Sequence, residues 1–437
     1  MNGKGQELYR EARKLIPGGT QLLSKRPEMF LPEHWPSYYS RAQGVETWDL
    51  DGKKYLDMSY CGLGSCVLGF ADPDVDDAVR SAISKGTMAT LNCPEEVELA
   101  EVLCSLHPWA SMVRFARTGG EAMTMAVRLA RAATRRDRIA FCGYHGWHDW
   151  YLAANLREED ALAGHLLAGL EPAGLPQGLS GTALPFRYNE IEELEAIVEK
   201  NAGELAAIVM EPVRSAEPES GFLERVRQIA TDVGAVLIFD EITSGWRLNP
   251  GGAHLGYSTT PDVAVFAKAI SNGYAMAAVI GVRNVMEAAQ GSFISSTYWT
   301  ERIGPTAALA TIRKFERHKV SDHLIRIGKQ VQQVWSHAAN RTGLKMSVSG
   351  IPPLGHFAFR HENAQAMRTL FTQRMLERNI LATNSFYATY AHTDEHVRQY
   401  AEAVDDVLEE IAAADAEGTV EQLLVGPIAH EGFQRLA

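Results

Sequence analysis

Apolar and polar positions alternate along this chain in two different rhythms, and the change of rhythm divides it. The opening stretch predicts a helix over Gln6 to Ile16, ended by Pro17, Gly18 and Gly19, because proline and paired glycines interrupt a helical pattern. In GVETWDLDGKKYLDMS, which starts at Gly44, the Asp51-Gly52 pair between apolar alternations signals a tight hairpin, hence a small antiparallel element. From there short apolar runs take turns with amphipathic stretches. Strands are expected at 113–115, 139–141, 205–210 and 235–240, and helices over 121–133, 190–200 and from 221 onward. Wholly apolar strands between amphipathic helices imply a mostly parallel sheet covered on both faces, an α/β architecture whose ligands sit at the carboxyl ends of the strands. Past Val320 the rhythm changes to long helices, 321–340 and 394–413, with the segment SVSGIPPLGHFAFR between them reading as sheet entered through a Pro-Pro turn. The expected organisation is an N-terminal arm over 1–60 that contributes to a small domain, a large domain over 61–320 with the central sheet, and a smaller α+β domain over 321–437. The Ala-, Gly- and Leu-rich region Glu158 to Gly181 is expected to be an irregular insertion.

Composition narrows the function without naming it. The 437 residues are 46% hydrophobic and 22% charged, ordinary values for a folded globular protein. With 42 Lys and Arg against 54 Asp and Glu, the net charge of −12 opposes binding to a phosphate backbone, so no nucleic-acid partner is expected. The apolar runs, such as Met276 to Val282, are far shorter than the ~20 residues of a membrane span, and the first residues lack the apolar core of a secretory signal. A cytoplasmic protein with no membrane partner is expected. Five cysteines, an odd number without a C-x-x-C pair, fit reduced thiols rather than disulfides or a zinc ribbon.

Four features carry candidate chemistry, each with a plainer alternative. Gly119 and Gly120, between Thr118 and Glu121, follow a strand and open a helix, where exposed backbone N–H groups suit a phosphate; close packing of strand on helix would also explain them. Asp240 ends the apolar run AVLIFD, a partly desolvated carboxylate that needs a partner, unless it is a cap or a structural ion pair. Ile242, two residues on, would project to the same side if the chain stayed extended. Lys268 sits among Val265, Phe266, Ala267, Ala269 and Ile270, surroundings that lower an amine's pKa and make it a nucleophile toward carbonyls; a surface lysine is the alternative. Tyr144 to Asp149 offers an aromatic platform, and His145 with His148 lacks a third ligand at metal-site spacing, so no metal is expected. In chain order these are a phosphate cradle, an aromatic face, a strand-end carboxylate and a buried lysine. Together they describe a pyridoxal 5'-phosphate site.

The chain resembles the class III aminotransferases, in the branch that includes glutamate-1-semialdehyde aminomutase. The likeness runs from IPGG at 16–19 through RTGGEAMTMAVRLAR, GYHGWHD, AAIVMEPV, LIFDEITSGWR and FAKAISNGYAMAAVIG to AHTDEHV at 391–397. It implies the aminotransferase fold type I and a homodimer whose active sites lie at the subunit interface, acting on a small-molecule amino donor and an oxo acceptor. It also implies residue roles: Lys268 as the Schiff-base lysine, Asp240 beside the pyridinium nitrogen, Ile242 on one ring face and Tyr144 stacked on the other. Gly119 and Gly120 match the phosphate loop, Glu211 matches the carboxylate of the EPV segment, and Thr297 lies in the stretch that reaches the neighbouring subunit's cofactor phosphate. The departures lie on the substrate side. Arg214, Ser215 and Ala216 stand where aminomutases have glycine and asparagine after EPV, and SSTYWTERIG replaces their Gly-Thr-Leu-Ser-Gly-Asn-Pro type of segment. Lys25, followed by Arg26, takes the place of the arginine that grips the aminomutase's substrate. The expected activity is therefore amino transfer to an aldehyde or ketone. The rivals are a 2,1-aminomutase, a class III racemase or decarboxylase, and a binding protein that retains the fold; the last would be expected to lack Lys268 or Asp240, and both are present.

Overall fold

A computed structural model describes residues 3–432 apart from 159 and 166–168. The chain forms two compact units: one gathers the residues up to Asp72 and those from Asp322 onward, the other spans Pro73–Ser321.

The second unit is built on seven strands: β1 (Met112–Ala116), β2 (Arg138–Cys142), β3 (Ala183–Pro185), β4 (Leu205–Met210), β5 (Val236–Asp240), β6 (Val263–Phe266) and β7 (Ala277–Gly281). Their order across the sheet is β1-β7-β6-β5-β4-β2-β3. All neighbours are parallel except β7, which runs antiparallel to both β6 and β1. Because β7 is reversed between them, β1 and β6 point the same way: Ala277 pairs with Ala116 while Ala278 pairs with Phe266. The carboxyl ends of β1, β2, β4, β5 and β6 therefore share one edge.

The period of two explains why this sheet is buried on both faces. Along β2, β4 and β5, the side chains of Ile139, Phe141, Val209 and Ile238 enter one apolar cluster with Ala122, Ala126 and Leu129 of the helix Gly119–Thr134. The intervening Ala140, Cys142, Ile208, Leu237 and Phe239 enter a second cluster with Phe222, Val226 and Ile229 of the helix Phe222–Val233. Each buried Val, Leu, Ile or Phe contributes roughly 1.5–3 kcal/mol, so the strands are rigid supports for whatever their ends carry.

In the first unit, Glu46–Asp49 and Lys54–Asp57 form the hairpin turned at Asp51-Gly52, with Tyr39–Gln43 on its outer side. Ile380–Leu381 joins Lys54–Asp57 in parallel, Ile380 opposite Leu56, so the two ends of the chain share one sheet. A second sheet orders Met346–Ser349, Leu354–Phe359 and Ser385–Tyr387, with Pro352 and Pro353 in the turn between the first two. No described helix is long and apolar enough to cross a membrane.

Candidate active site

At or just past the carboxyl ends of β1, β2, β4, β5 and β6 stand residue types able to do chemistry. After β1 the chain turns into the helix Gly119–Thr134, with Thr118 as its cap. The Thr118 hydroxyl accepts from the Glu121 amide (3.4 Å), and the Glu121 carboxylate accepts from the Thr118 amide (3.0 Å). These reciprocal bonds form a capping box. Ala122 N–H bonds back to the Thr118 carbonyl, whereas the Gly119 and Gly120 amides precede the first intrahelical acceptor and bond to nothing among the described residues. Two unspent donors thus stand at the positive end of a 16-residue helix dipole. Both positions need glycine for space. A Cβ on Gly119 would lie 2.9 Å from Ile242 Cδ1, and one on Gly120 would lie 3.0 Å from the His148 ring.

The β5 carboxylate, Asp240, is buried and takes two bonds. Its Oδ2 lies 2.8 Å from His145 Nδ1, and its Oδ1 accepts from the Ile242 amide at 2.9 Å. The other imidazole nitrogen, His145 Nε2, lies 2.9 Å from the Cys142 carbonyl oxygen. Both partners of this ring are acceptors, so a ring that donates from both nitrogens satisfies them. Ile242 reaches the site by a different route from strand alternation. The strand ends at Asp240 and the chain turns at once, so the aspartate's own side chain, bonded to the Ile242 amide, sets where Ile242 lies.

Past β2, half-buried Tyr144 packs edge-on against Tyr151, with ring centres 5.8 Å apart, and the Tyr151 hydroxyl donates to the Gly143 carbonyl (3.0 Å). Burial raises the Tyr144 phenol's pKa, opposed by the charge of Arg214. Trp147 is exposed, and His148 Nδ1 lies 2.8 Å from the Thr124 hydroxyl, so the two histidines face different partners. Past β4, Glu211 is buried and its carboxyl pKa is raised by desolvation, with the Arg214 charge pulling the other way. Arg214 Nη1 donates to both of its oxygens, at 3.3 and 3.2 Å.

Past β6 the backbone of Lys268 adopts φ 51°, a left-handed conformation costing roughly 1–2 kcal/mol in a residue with a Cβ. Its Nζ donates to the Thr243 hydroxyl at 2.8 Å. Burial and the nearby Arg214 charge lower its pKa from 10.5 to about 8, partly offset by Glu211 and Asp240. Thr297 is placed differently: it begins a short helical turn, Thr297–Thr300, its side chain is exposed, and it makes no hydrogen bond to the residues above.

Three participants have pairings that the sequence did not show, although His145 and Glu241 stood in stretches it singled out. Thr243 bonds Lys268 from 25 positions away, and His145 bonds Asp240 across 95. The third is Glu241, fully buried behind Asp240, whose carboxylate accepts from Ser244 Oγ (2.6 Å), the Ala253 amide (3.0 Å), and the His254 amide (2.9 Å) and Nδ1 (2.7 Å). His254 Nε2 in turn accepts from Trp109 Nε1 (3.0 Å). This knot ties the turn after β5, and with it Ile242 and Thr243, to residues 253–254.

The model of the family described as Aminotransferase class-III matches residues 32–408. The 3-aminobutyryl-CoA aminotransferase of Cloacimonas acidaminovorans is 32% identical over 93% of this chain and 97% of its own. A glutamate-1-semialdehyde 2,1-aminomutase of Roseiflexus castenholzii is 33% identical over 95% and 99%. Among solved structures, an omega-transaminase from Sphaerobacter thermophilus superposes with a TM-score of 0.83 at 26% identity, over 94% of this chain and 98% of that one. With matches spanning nearly its full length, the chain belongs to the class III aminotransferases, enzymes that use pyridoxal 5'-phosphate.

Proposed function

We propose that the protein moves an amino group from a small-molecule donor to an aldehyde or ketone acceptor, with Lys268 as the amine that holds the cofactor and carries the proton. The observation that carries this reading is Lys268 itself: a strained, half-buried lysine at a strand end, with its proton affinity lowered to about 8. When bound, pyridoxal 5'-phosphate supplies an electron-accepting ring that stabilises the negative charge left when a substrate Cα loses its proton. The chain's residues fit such a group. The cradle that a Cβ at Gly119 or Gly120 would fill, with its two unspent amides, suits a phosphate. Asp240, hydrogen-bonded to His145, suits a protonated ring nitrogen, and Tyr144 and Ile242 offer an aromatic and an aliphatic surface for its two faces. Thr243 fixes the position of Lys268 Nζ, and Glu211 sets the negative charge opposite Arg214. Near neutral pH an amine with this affinity can take a proton from carbon and return it elsewhere, the work of a general base and acid.

The reading extends to assembly and compartment: a cytoplasmic homodimer in which Thr297 serves the cofactor phosphate of the other subunit. In support, Leu91, Phe293 and Tyr298 are 82%, 87% and 70% exposed, large apolar side chains that a second subunit would cover. None of the five described cysteines forms a disulfide.

The test is borohydride reduction of the holoenzyme followed by peptide mapping, together with a screen of amino donors watched by absorbance for conversion of the cofactor to its amine form. A label on Lys268 and conversion by a donor support the reading. A label on another lysine ends the assignment. Isomerisation of one compound with no second substrate would favour the aminomutase reading that the Roseiflexus relative keeps open.

A further inference from the structure

The carboxyl ends of β2 and β4 border a cavity of about 310 Å³, lined among others by Tyr144, His165, Tyr188, Glu211, Arg214 and Ser215. Two of these, Arg214 and Glu211, are charges that act on Lys268, and a cavity that shares them with the reactive amine has room for a substrate's remaining atoms. Its charge comes from few groups. Arg187 reaches the lining but is engaged by Glu193, which accepts from its backbone amide (2.7 Å) and its Nε (2.7 Å). His165 accepts from the Gly143 amide (3.2 Å), and burial lowers its pKa, so it contributes little positive charge. Arg214 is different. It borders both the cavity and the catalytic cluster, and its side chain is only 20% exposed.

The Glu211 pair does not use the guanidinium as a fork. One nitrogen spans both carboxylate oxygens at 3.2 and 3.3 Å, where charge-assisted bonds normally run ~2.7–2.9 Å and Arg–carboxylate pairs prefer two parallel N–H···O bonds. An incoming carboxylate that meets the guanidinium in the parallel geometry makes shorter bonds than Glu211 does. Glu211, whose buried carboxyl already has a raised proton affinity, tolerates the loss of its counter-charge by holding a proton.

We propose that Arg214 binds a carboxylate of the substrate in this cavity, displacing Glu211, and so selects acids over plain amines. The proposal rests on the aminotransferase reading of the site and adds the substrate class to it. The residue is this chain's own: an aminomutase branch with glycine and asparagine after EPV has no arginine at this position.

The test is calorimetric titration of the holoenzyme with 3-methylbutanoate and, separately, with 3-methylbutanamide, which share a shape, differ in charge and lack a reactive amine. The acid is expected to bind roughly tenfold or more tightly than the amide, the worth of a charged hydrogen-bonding pair. Arg214→Gln should abolish that preference while leaving the amide's affinity within about threefold. Arg214→Lys should restore part of it, because a point charge remains without the fork. Glu211→Gln should tighten the acid's binding, because the competing anion is gone. The opposite signs expected at 211 and 214 separate recognition from a general loss of structure. Equal affinity of wild type for acid and amide, failure to bind either, or a preference that survives Arg214→Gln would overturn the proposal. If the label fails to appear on Lys268, the aminotransferase reading falls, while this titration still decides whether Arg214 holds a carboxylate.

Discussion

Asp240→Asn separates the electrostatic role of this residue from its structural one. The asparagine keeps an oxygen for the Ile242 amide, now bonded at 2.9 Å. Its amide nitrogen faces His145 Nδ1, and the ring can answer by giving up one proton: Nδ1 then accepts while Nε2 still donates to the Cys142 carbonyl. The ion pair becomes a neutral hydrogen bond, and neither partner is orphaned. The stability cost is the difference between a charged and a neutral bond, about 1–2 kcal/mol, a fall of a few degrees in melting temperature for a protein of this size. Asp240→Leu has no such escape: His145 Nδ1 and the Ile242 amide both lose their partner, a loss of about 2–6 kcal/mol at about 1–3 kcal/mol for each buried polar group left unsatisfied. Function should rank differently. Both variants remove the only charge of Asp240, so turnover should fall by about 100-fold or more in each, the usual loss on deleting one preorganised electrostatic contact. The assay pairs thermal denaturation with single-turnover conversion of the cofactor by a donor, so that binding and chemistry are read separately. Asp240→Asn turning over within threefold of wild type, with cofactor bound, would refute the electrostatic role. Equal destabilisation by Asn and Leu would refute the tautomer argument.

Three further outcomes are expected. In the cofactor-free protein the amine of Lys268 should become reactive as pH rises through about 8 rather than 10.5, because only its unprotonated form attacks a carbonyl; the rate of cofactor uptake against pH checks this, and a midpoint near the ordinary lysine value would count against it. Glu241→Gln should lower the melting temperature by about 2–4 °C, since an amide group must then face donors that a buried carboxylate had satisfied; an unchanged melting curve would mean the knot carries no load. For the shared site, mixing Thr297→Ala with Lys268→Ala subunits should regain activity in heterodimers, which then contain one fully intact site, whereas a same-subunit Thr297 leaves none; mass spectrometry confirms the hybrids, and no regained activity in confirmed heterodimers would sink the claim.

The parts of the site that could be seen in the sequence are those where local pattern and chemistry coincide. VLIF before Asp240 and VAVF before Lys268 announce buried strands, and a charged residue straight after such a run must lie at a sheet edge. The glycine pair is visible for the same reason, at the join between a strand and a helix. What local pattern could not supply is pairing across distance. Nothing near His145 says that its ring faces Asp240, because the two meet only once β2 and β5 lie in one sheet with β4 between them. Arg214 was visible as a departure from a related pattern, but its pairing with Glu211 and its place on the cavity wall depend on how the chain turns after β4. Ile242 shows the limit of periodicity from the other side. The period-two argument assumes that the strand continues, and the chain leaves the strand one residue too soon.

These side chains also have to be treated as one electrostatic group. The charge of Asp240 makes ionisation of Glu211 harder, while Arg214, His145 and Lys268 pull the other way. Arg214 lowers the proton affinity of Lys268, which keeps the amine free to attack a carbonyl when no acid is bound. A substrate carboxylate on Arg214 cancels part of that positive field, and Coulomb's law then requires the Lys268 amine to bind a proton more tightly. The amine thus gains basicity at the stage at which it has to remove a proton from the bound substrate, and it has least when it must act as a nucleophile. One cation, on the cavity wall and acting on the lysine, therefore links recognition of the acid to readiness for proton transfer. Because the coupling runs through shared charges, substitutions at Glu211, Asp240, Arg214 and Lys268 have no reason to add, and each one's effect has to be measured against the others by double-mutant cycles.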